Sequence, residues 1–151
     1  MDGNNSQAAA SHATSRASKM WNPSSMSFKE SDWIRMKDLD GLKFPPTPTD
    51  ASKARGYTNT VLAAIGRIQK RSGNEVYAWA CECLSTPLEQ LADAGGLPVL
   101  DRQIGYVLQK ENKTGHFGLL FQTRAETARR DGKKMPSGRQ MLAEVLTYFQ
   151  S

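Results

Sequence analysis

Residues 136–150, Pro-Ser-Gly-Arg-Gln-Met-Leu-Ala-Glu-Val-Leu-Thr-Tyr-Phe-Gln, can gather their apolar side chains on one side only as a helix. Met141, Leu142, Val145, Leu146 and Phe149 stand at i, i+1, i+4, i+5 and i+8, one stripe of a helix and no face of a strand. Ser137 is a good N-cap, because its hydroxyl can accept a bond from an orphan N–H of the first turn. The stretch carries no catalytic constellation. It points to a small helical domain that works by association.

The same spacing runs upstream. Asp50 is placed to cap a helix in which Ala54, Tyr57, Val61, Ile65 and Ile68 share a buried face. Gly66 weakens that helix and Ser72-Gly73 ends it. Val76, Trp79, Ala80 and Cys83 predict a second, short helix. Thr86-Pro87-Leu88-Glu89 has the form of a capping box and opens a brief third helix, stopped by Gly95-Gly96. Pro98 precedes a fourth, with Leu100, Ile104, Val107 and Leu108 inward. Thr114 can cap a fifth, with Phe117, Leu120, Phe121, Ala125 and Ala128 inward. Asp131-Gly132 closes it and Ser137 opens the sixth. Period-2 alternation is nowhere sustained, so no sheet is expected. The expected fold is all-α: a compact bundle of about six short helices over 50–151, joined by short turns.

Two segments precede that unit. Residues 1–27 are rich in Ser, Ala and Asn, with almost no large apolar residue before Met20 and Trp21. Such a stretch buries too little surface to offset its chain entropy, and a disordered tail is expected. Residues 28–49 read as a docking strap and Pro-rich connector. Phe28, Trp33, Ile34, Met36, Leu39, Leu42 and Phe44 are apolar enough to dock, and Pro45-Pro46-Thr47-Pro48 enforces extended backbone. A rigid connector is the plainer reading of the prolines, and a ligand for a partner's groove is the other.

Composition narrows the function. A net charge of +5 and a pI near 9.4 suit an anionic partner, although plain soluble proteins share that balance. No apolar run is long enough to span a bilayer and no secretory h-region opens the chain, so no membrane partner is expected. With only Arg16 and Lys19 basic in the first nineteen residues, a mitochondrial presequence is poorly supported. An intracellular location, cytoplasmic or nuclear, is the expectation. Cys81 and Cys83 are too close for an easy disulfide and lack partners for a zinc site, so no metal and no cofactor are expected. His12 and His116 have no obvious nucleophile beside them, and Gly115 and Gly118 lack the strand and Lys-Ser/Thr ending of a phosphate loop. Tyr77 and Trp79 read as core residues. An enzyme with a small-molecule substrate is the least supported class.

The strongest chemical signal is cationic. Between 110 and 139 stand eight Lys or Arg against Glu111, Glu126 and Asp131. Arg129, Arg130, Lys133 and Lys134 cluster where the fifth helix ends. Cations there favour the helix dipole, which accounts for some of them. The other reading is phosphate contact, giving salt-dependent, sequence-independent affinity. On that reading the contact residues are Arg124, Arg129, Arg130, Lys133, Lys134 and Arg139.

Four landmarks follow in order. Leu42-Lys-Phe-Pro-Pro46 leads to Ala54-Arg-Gly-Tyr57. Val76-Tyr-Ala-Trp79 comes next. Leu88 to Ala94 and Gly95-Gly-Leu-Pro98 then lead to Leu100-Asp101. Last is Ala128-Arg-Arg-Asp-Gly-Lys-Lys-Met-Pro-Ser-Gly-Arg-Gln-Met-Leu142, running on to Tyr148-Phe149. This order, over roughly residues 42–150, resembles the Gag-like, capsid-like N-terminal region of copia-type retrotransposon polyproteins of the dinoflagellate type. The resemblance implies a helical protein that self-associates around RNA and has no active site. The sequence departs from that pattern in lacking a Cys/His knuckle, an aspartic-protease triplet and polymerase motifs.

The leading expectation is therefore a non-enzymatic assembly protein whose partners are itself, as a homo-oligomer, and RNA. Self-association is expected through Met141, Val145, Tyr148 and Phe149, or through the strap. A strap that docks within its own chain predicts instead a quiet monomer. The rivals are a monomeric basic nucleic-acid-binding module and a protein adaptor. For the former, the fifth helix with Gln122, Arg124, Glu126 and Arg129 is the only recognition candidate, and Phe117, Leu120 and Phe121 suggest it is mostly buried.

Overall fold

The computed structural model describes residues 29–150, and the tail expected over 1–27, like Phe28, lies outside them. Five α-helices occupy the described chain: α1 Ala54–Gly66, α2 Glu75–Cys81, α3 Pro98–Glu111, α4 Gly115–Arg130 and α5 Gly138–Thr147. The brief helix expected after Pro87 is a 3-10 turn over Leu88–Ala92, and another 3-10 turn, Tyr148–Gln150, continues α5. Among the described residues the one bridge between extended segments is the isolated pair Ile34 and Gln69, so the fold is all-α.

α5 is the centre of the bundle. Its closest neighbour is α3, and it also rests on the 3-10 turns Glu82–Leu84 and Leu88–Ala92. Burial follows from its sequence: Met141, Leu142, Ala143, Val145 and Leu146 are all interior, so the helix is wrapped nearly all round. Its start is fixed by a complete capping box. The Ser137 hydroxyl accepts from the Gln140 N–H at 3.0 Å, and the Gln140 side chain accepts from the Ser137 N–H at 2.9 Å. The same hydroxyl donates to the Leu91 carbonyl at 2.6 Å. Gln140 Nε2 donates to the Leu88 carbonyl at 3.0 Å. The cap therefore anchors the Leu88–Ala92 turn as well as its own helix.

Glycine lets α3 and α5 touch. A side chain on Gly138 would run into the Asp101 carbonyl. A Cβ on Gly105 would lie 3.4 Å from the Gly138 Cα. α1 pairs with α2 in the same way: a Cβ on Gly66 would stand 3.2 Å from that of Tyr77.

Several local expectations change. Asp50 does not cap α1: it precedes a 3-10 turn, Ala51–Lys53, without a side-chain cap bond, and Lys53 holds the N-cap position of α1. The first helix ends at Gly66 rather than at Ser72-Gly73, because the chain turns there to meet the strap. The Arg35 N–H donates to the Ile68 carbonyl at 2.9 Å and the Lys70 N–H to the Trp33 carbonyl at 2.8 Å. Thr86 forms no capping box; Pro87 occupies the cap with φ −55° and ψ 142°, without a side-chain cap bond. Thr114 holds the N-cap position of α4, yet its hydroxyl makes no cap bond.

The strap docks on its own chain. Ile34, Leu39, Leu42 and Phe44 are buried in the common core. The Glu30 carboxylate accepts from the Val99 N–H at 3.0 Å and from the Leu100 N–H at 2.8 Å. It thus satisfies orphan donors at the start of α3, where a negative charge also suits the dipole.

Replacing Gly138 by Ala is expected to cost about 3 kcal/mol or more, since the obstacle is backbone and cannot rotate away. Thermal unfolding measures it, and Gly132→Ala, where a Cβ meets open space but φ is +67°, should cost less, about 1 kcal/mol.

Candidate nucleic-acid and assembly surfaces

Arg139 is not a surface cation. It is 3% exposed, because it follows Gly138 at the crossing of α3 and α5 and points into the bundle. Its Nη1 donates to the Glu82 carboxylate at 2.6 Å and to the Trp79 carbonyl at 3.2 Å. Nη2 donates to the Asp93 carbonyl at 2.8 Å. The guanidinium lies over the Trp79 indole, 4.9 Å from its centroid, and that indole N–H donates to the Ala94 carbonyl at 2.8 Å. The backbone N–H groups of Gly138 and Arg139 donate to the Asp101 carboxylate at 3.0 Å and 2.8 Å. Gly95, at φ +63°, passes so close that a Cβ there would lie 2.8 Å from Arg139 Nη2. The guanidinium spreads its donors over three separate acceptors and stacks on the indole, a role for which Lys is no substitute. The expectation that Arg139 contacts RNA is corrected: it holds the fold.

The other five cations are exposed, but they differ. Arg124 is engaged by Glu144 of α5, at 2.6 Å, with its Nε at 2.8 Å from the same oxygen. Arg130 lies 3.7 Å from Asp131. Lys134 donates to the Ala92 carbonyl at 3.4 Å. Arg129, Lys133 and Lys134 form no ion pair among the described residues. Gly132, at φ +67°, turns the chain immediately after α4. The Lys133 N–H then donates to the Ala128 carbonyl at 2.8 Å. This turn keeps both lysines against the end of α4, beside Arg129 and Arg130. Gln122, Glu126 and Arg129 are exposed on α4, and its buried face is the set Phe117, Phe121 and Ala128. The polar face of α4 is therefore open, not mostly buried.

The expected assembly residues divide likewise. Met141 and Val145 are interior, so they are spent on the core of the bundle and are corrected as interface residues. Tyr148 is 47% exposed and Phe149 half-buried. Tyr148 packs at a tilt on His116, with centroids 4.7 Å apart, and edge-on against Phe117 at 5.3 Å and Phe149 at 4.8 Å. Leu119, one turn beyond His116, is 67% exposed. This aromatic end of α4 and α5 is the exposed apolar feature sequence reasoning half located. Tyr77, expected in the core, is outside, because Val76, Trp79 and Ala80 take the inner face of α2.

A groove of about 330 Å³ separates α4 from α5 and opens on the basic turn. Leu88, Leu120, Phe121 and Met141 form its apolar surface, with Lys133 and Lys134 at one edge. Sequence reasoning missed it, since it exists only where the Leu88–Ala92 turn meets α4.

The thiols are inert or nearly so. Burial raises the Cys81 thiol above its ordinary value. Burial pushes Cys83 up to about 12, only partly offset by Arg139, and its Sγ lies 3.5 Å from the Arg139 carbonyl. Among the described residues no group of three or more His, Cys, Asp or Glu is arranged to hold a metal ion, and no helix is long and apolar enough to cross a membrane. No family model, curated protein or solved structure matches this chain.

Arg139→Gln strands Glu82 and the carbonyls of Trp79 and Asp93 in the interior, and should cost about 3–5 kcal/mol in urea unfolding. The exposed change Arg129→Gln should stay within about 0.5 kcal/mol. At pH 8, thiol labelling should modify Cys81 first, with Cys83 reacting only as fast as the protein opens. Because the folded state holds the Cys83 proton more tightly than the unfolded chain, its contribution to stability is lost as pH rises from 9.0 towards 12. Cys83→Ala should flatten that part of the pH–stability curve.

Proposed function

We propose that this chain is a non-enzymatic structural module of the Gag-like kind, which self-associates and holds RNA loosely through the turn after α4. The observation that carries the reading is the run Arg129, Arg130, Lys133 and Lys134, which is exposed in full. The helix dipole gives a reason for the first two. It gives none for the lysines beyond Gly132. Four cations on one turn suit a phosphate backbone read by charge alone. Self-association falls to the aromatic end of α4 and α5, where Leu119 and Tyr148 are left in water.

A second reading, a monomeric basic binding module, is favoured by the docked strap. Ile34, Leu39, Leu42 and Phe44 are already buried by their own chain and offer nothing to a second copy.

The combined change of Arg129, Arg130, Lys133 and Lys134 to Gln should abolish retention of single-stranded RNA at low salt. Each phosphate no longer neutralised should lower the salt slope by about 0.7. Unchanged retention would sink the RNA reading. Light scattering of nuclease-treated protein should give a mass that climbs above 16.7 kDa with concentration. Leu119→Ser with Tyr148→Ser should return it to the monomer, and a strict monomer from the start would favour the second reading.

A further inference from the structure

We infer that the groove between α4 and α5 is a pocket for one unpaired nucleobase of the bound strand, an assignment that rests on the RNA reading above. Three features meet there. Its floor is apolar, formed by Leu88, Leu120, Phe121 and Met141. Its edge carries Lys133 and Lys134, two of the cations free of ion pairs among the described residues. The hydroxyls of Thr123 and Thr127 also line it. A nucleotide has the matching anatomy: a flat ring with apolar faces, a polar edge, and a phosphate about one sugar away.

Size decides between a base and a peptide helix. At about 330 Å³ the groove stands at the small end of ligand pockets, roughly 300–1,000 Å³. That is room for one ring system, not for the long apolar face by which a helix docks. Charge agrees. The lining carboxylates of Glu144 and Asp131 are taken up by Arg124 at 2.6 Å and by Arg130 at 3.7 Å. Glu89, also in the lining, is left as an acceptor for an exocyclic amino group. The opening also lies on the turn that carries Lys133 and Lys134, so a phosphate held there leaves its own base facing the groove.

A duplex keeps its bases stacked and paired, so the pocket predicts a preference for single strands. Fluorescence anisotropy of the full chain should show an unpaired oligoribonucleotide binding about tenfold tighter than a fully paired one of equal length. Thr127→Leu, which fills the groove without changing charge, should bring the two to equal affinity by weakening the single strand alone. Equal affinity for both forms in the unaltered protein overturns the pocket and leaves the basic turn as the RNA contact. Failure of both forms to bind overturns the underlying RNA reading and the pocket with it. A measurement on the unaltered protein guards against a misfolded variant. The Met141 methyl resonance should shift on adding the oligonucleotide, and a 2-aminopurine placed in the strand should change its emission. A silent methyl and unchanged emission overturn the pocket. So does a methyl that answers to an acidic peptide and not to the strand.

Discussion

The guanidinium of Arg139 is the point on which the bundle hangs. A buried cation is costly unless its charge and its donors are met. Here Glu82 meets the charge, the Trp79 and Asp93 carbonyls take two donors, and the Trp79 ring covers the plane, while Nε is left buried without a partner. Those partners come from α2, from the 3-10 turn after it and from the loop before Gly95. The backbone at the same position is held by Asp101 of α3. One residue therefore fixes the start of α5 against α2, the turn after it, the loop before Gly95 and α3. Removing any partner leaves the others buried with an unmet charge or carbonyl, which is why the region can only form together.

That centre determines what is left for function. α5 spends its apolar stripe on the interior and releases only its last turn. α3 is held along its length by α5 and at its start by Glu30. The strap has spent Ile34, Leu39, Leu42 and Phe44 in the core, while Met36, also expected to dock, stays exposed. α4 is not among the helices packed closely with a neighbour. It rests on the bundle through Phe117, Phe121 and Ala128 and leaves a groove at its flank. The open polar face and the basic turn belong to α4 or to the chain just beyond it, and the exposed aromatic end joins the start of α4 to the turn Tyr148–Gln150. The surfaces proposed for function thus fall on residues 114–136 together with the turn Tyr148–Gln150.

The helices were legible because their apolar spacing was regular and their stops were glycines. The α5 cap was legible for the same local reason: Ser137 and Gln140 stand three apart and need nothing else. The role of Arg139 was open to reading and was misread. It stands three, four and seven residues before Leu142, Ala143 and Leu146, so it lies on the buried side of its own helix. Its charge, counted with the neighbouring cations, outweighed its phase. Tyr77 was misread in the opposite sense, since its size suggested the core while its phase lay outside the set Val76, Trp79 and Ala80. The Leu88–Ala92 turn was not legible in detail. Its shape is set by bonds from Ser137 and Gln140, about fifty residues away in the chain, and no local pattern encodes them. The groove was hidden for that reason too.

The landmarks on which the Gag-like resemblance rests gain a physical meaning from this arrangement. Trp79, Gly95, Asp101 and the run Gly138-Arg139-Gln140 come from three of the four, and in space they converge on a single hub. Their order in the chain is what that hub demands, whatever the protein does. The last landmark holds something more. Its second half, from Ser137 onward, is interior, while the side chains of its first half, Arg129 to Lys134, are exposed, and of the lysines only Lys134 reaches across the fold, to the Ala92 carbonyl at 3.4 Å. Helix-dipole stabilisation is confined to the final turn of α4 and does not reach past Gly132. Lys133 and Lys134 are therefore the residues of that landmark for which the fold supplies the least reason. On the RNA reading proposed above, these two lysines are the cations most free to meet a phosphate, and the groove beside them gives that surface a shape.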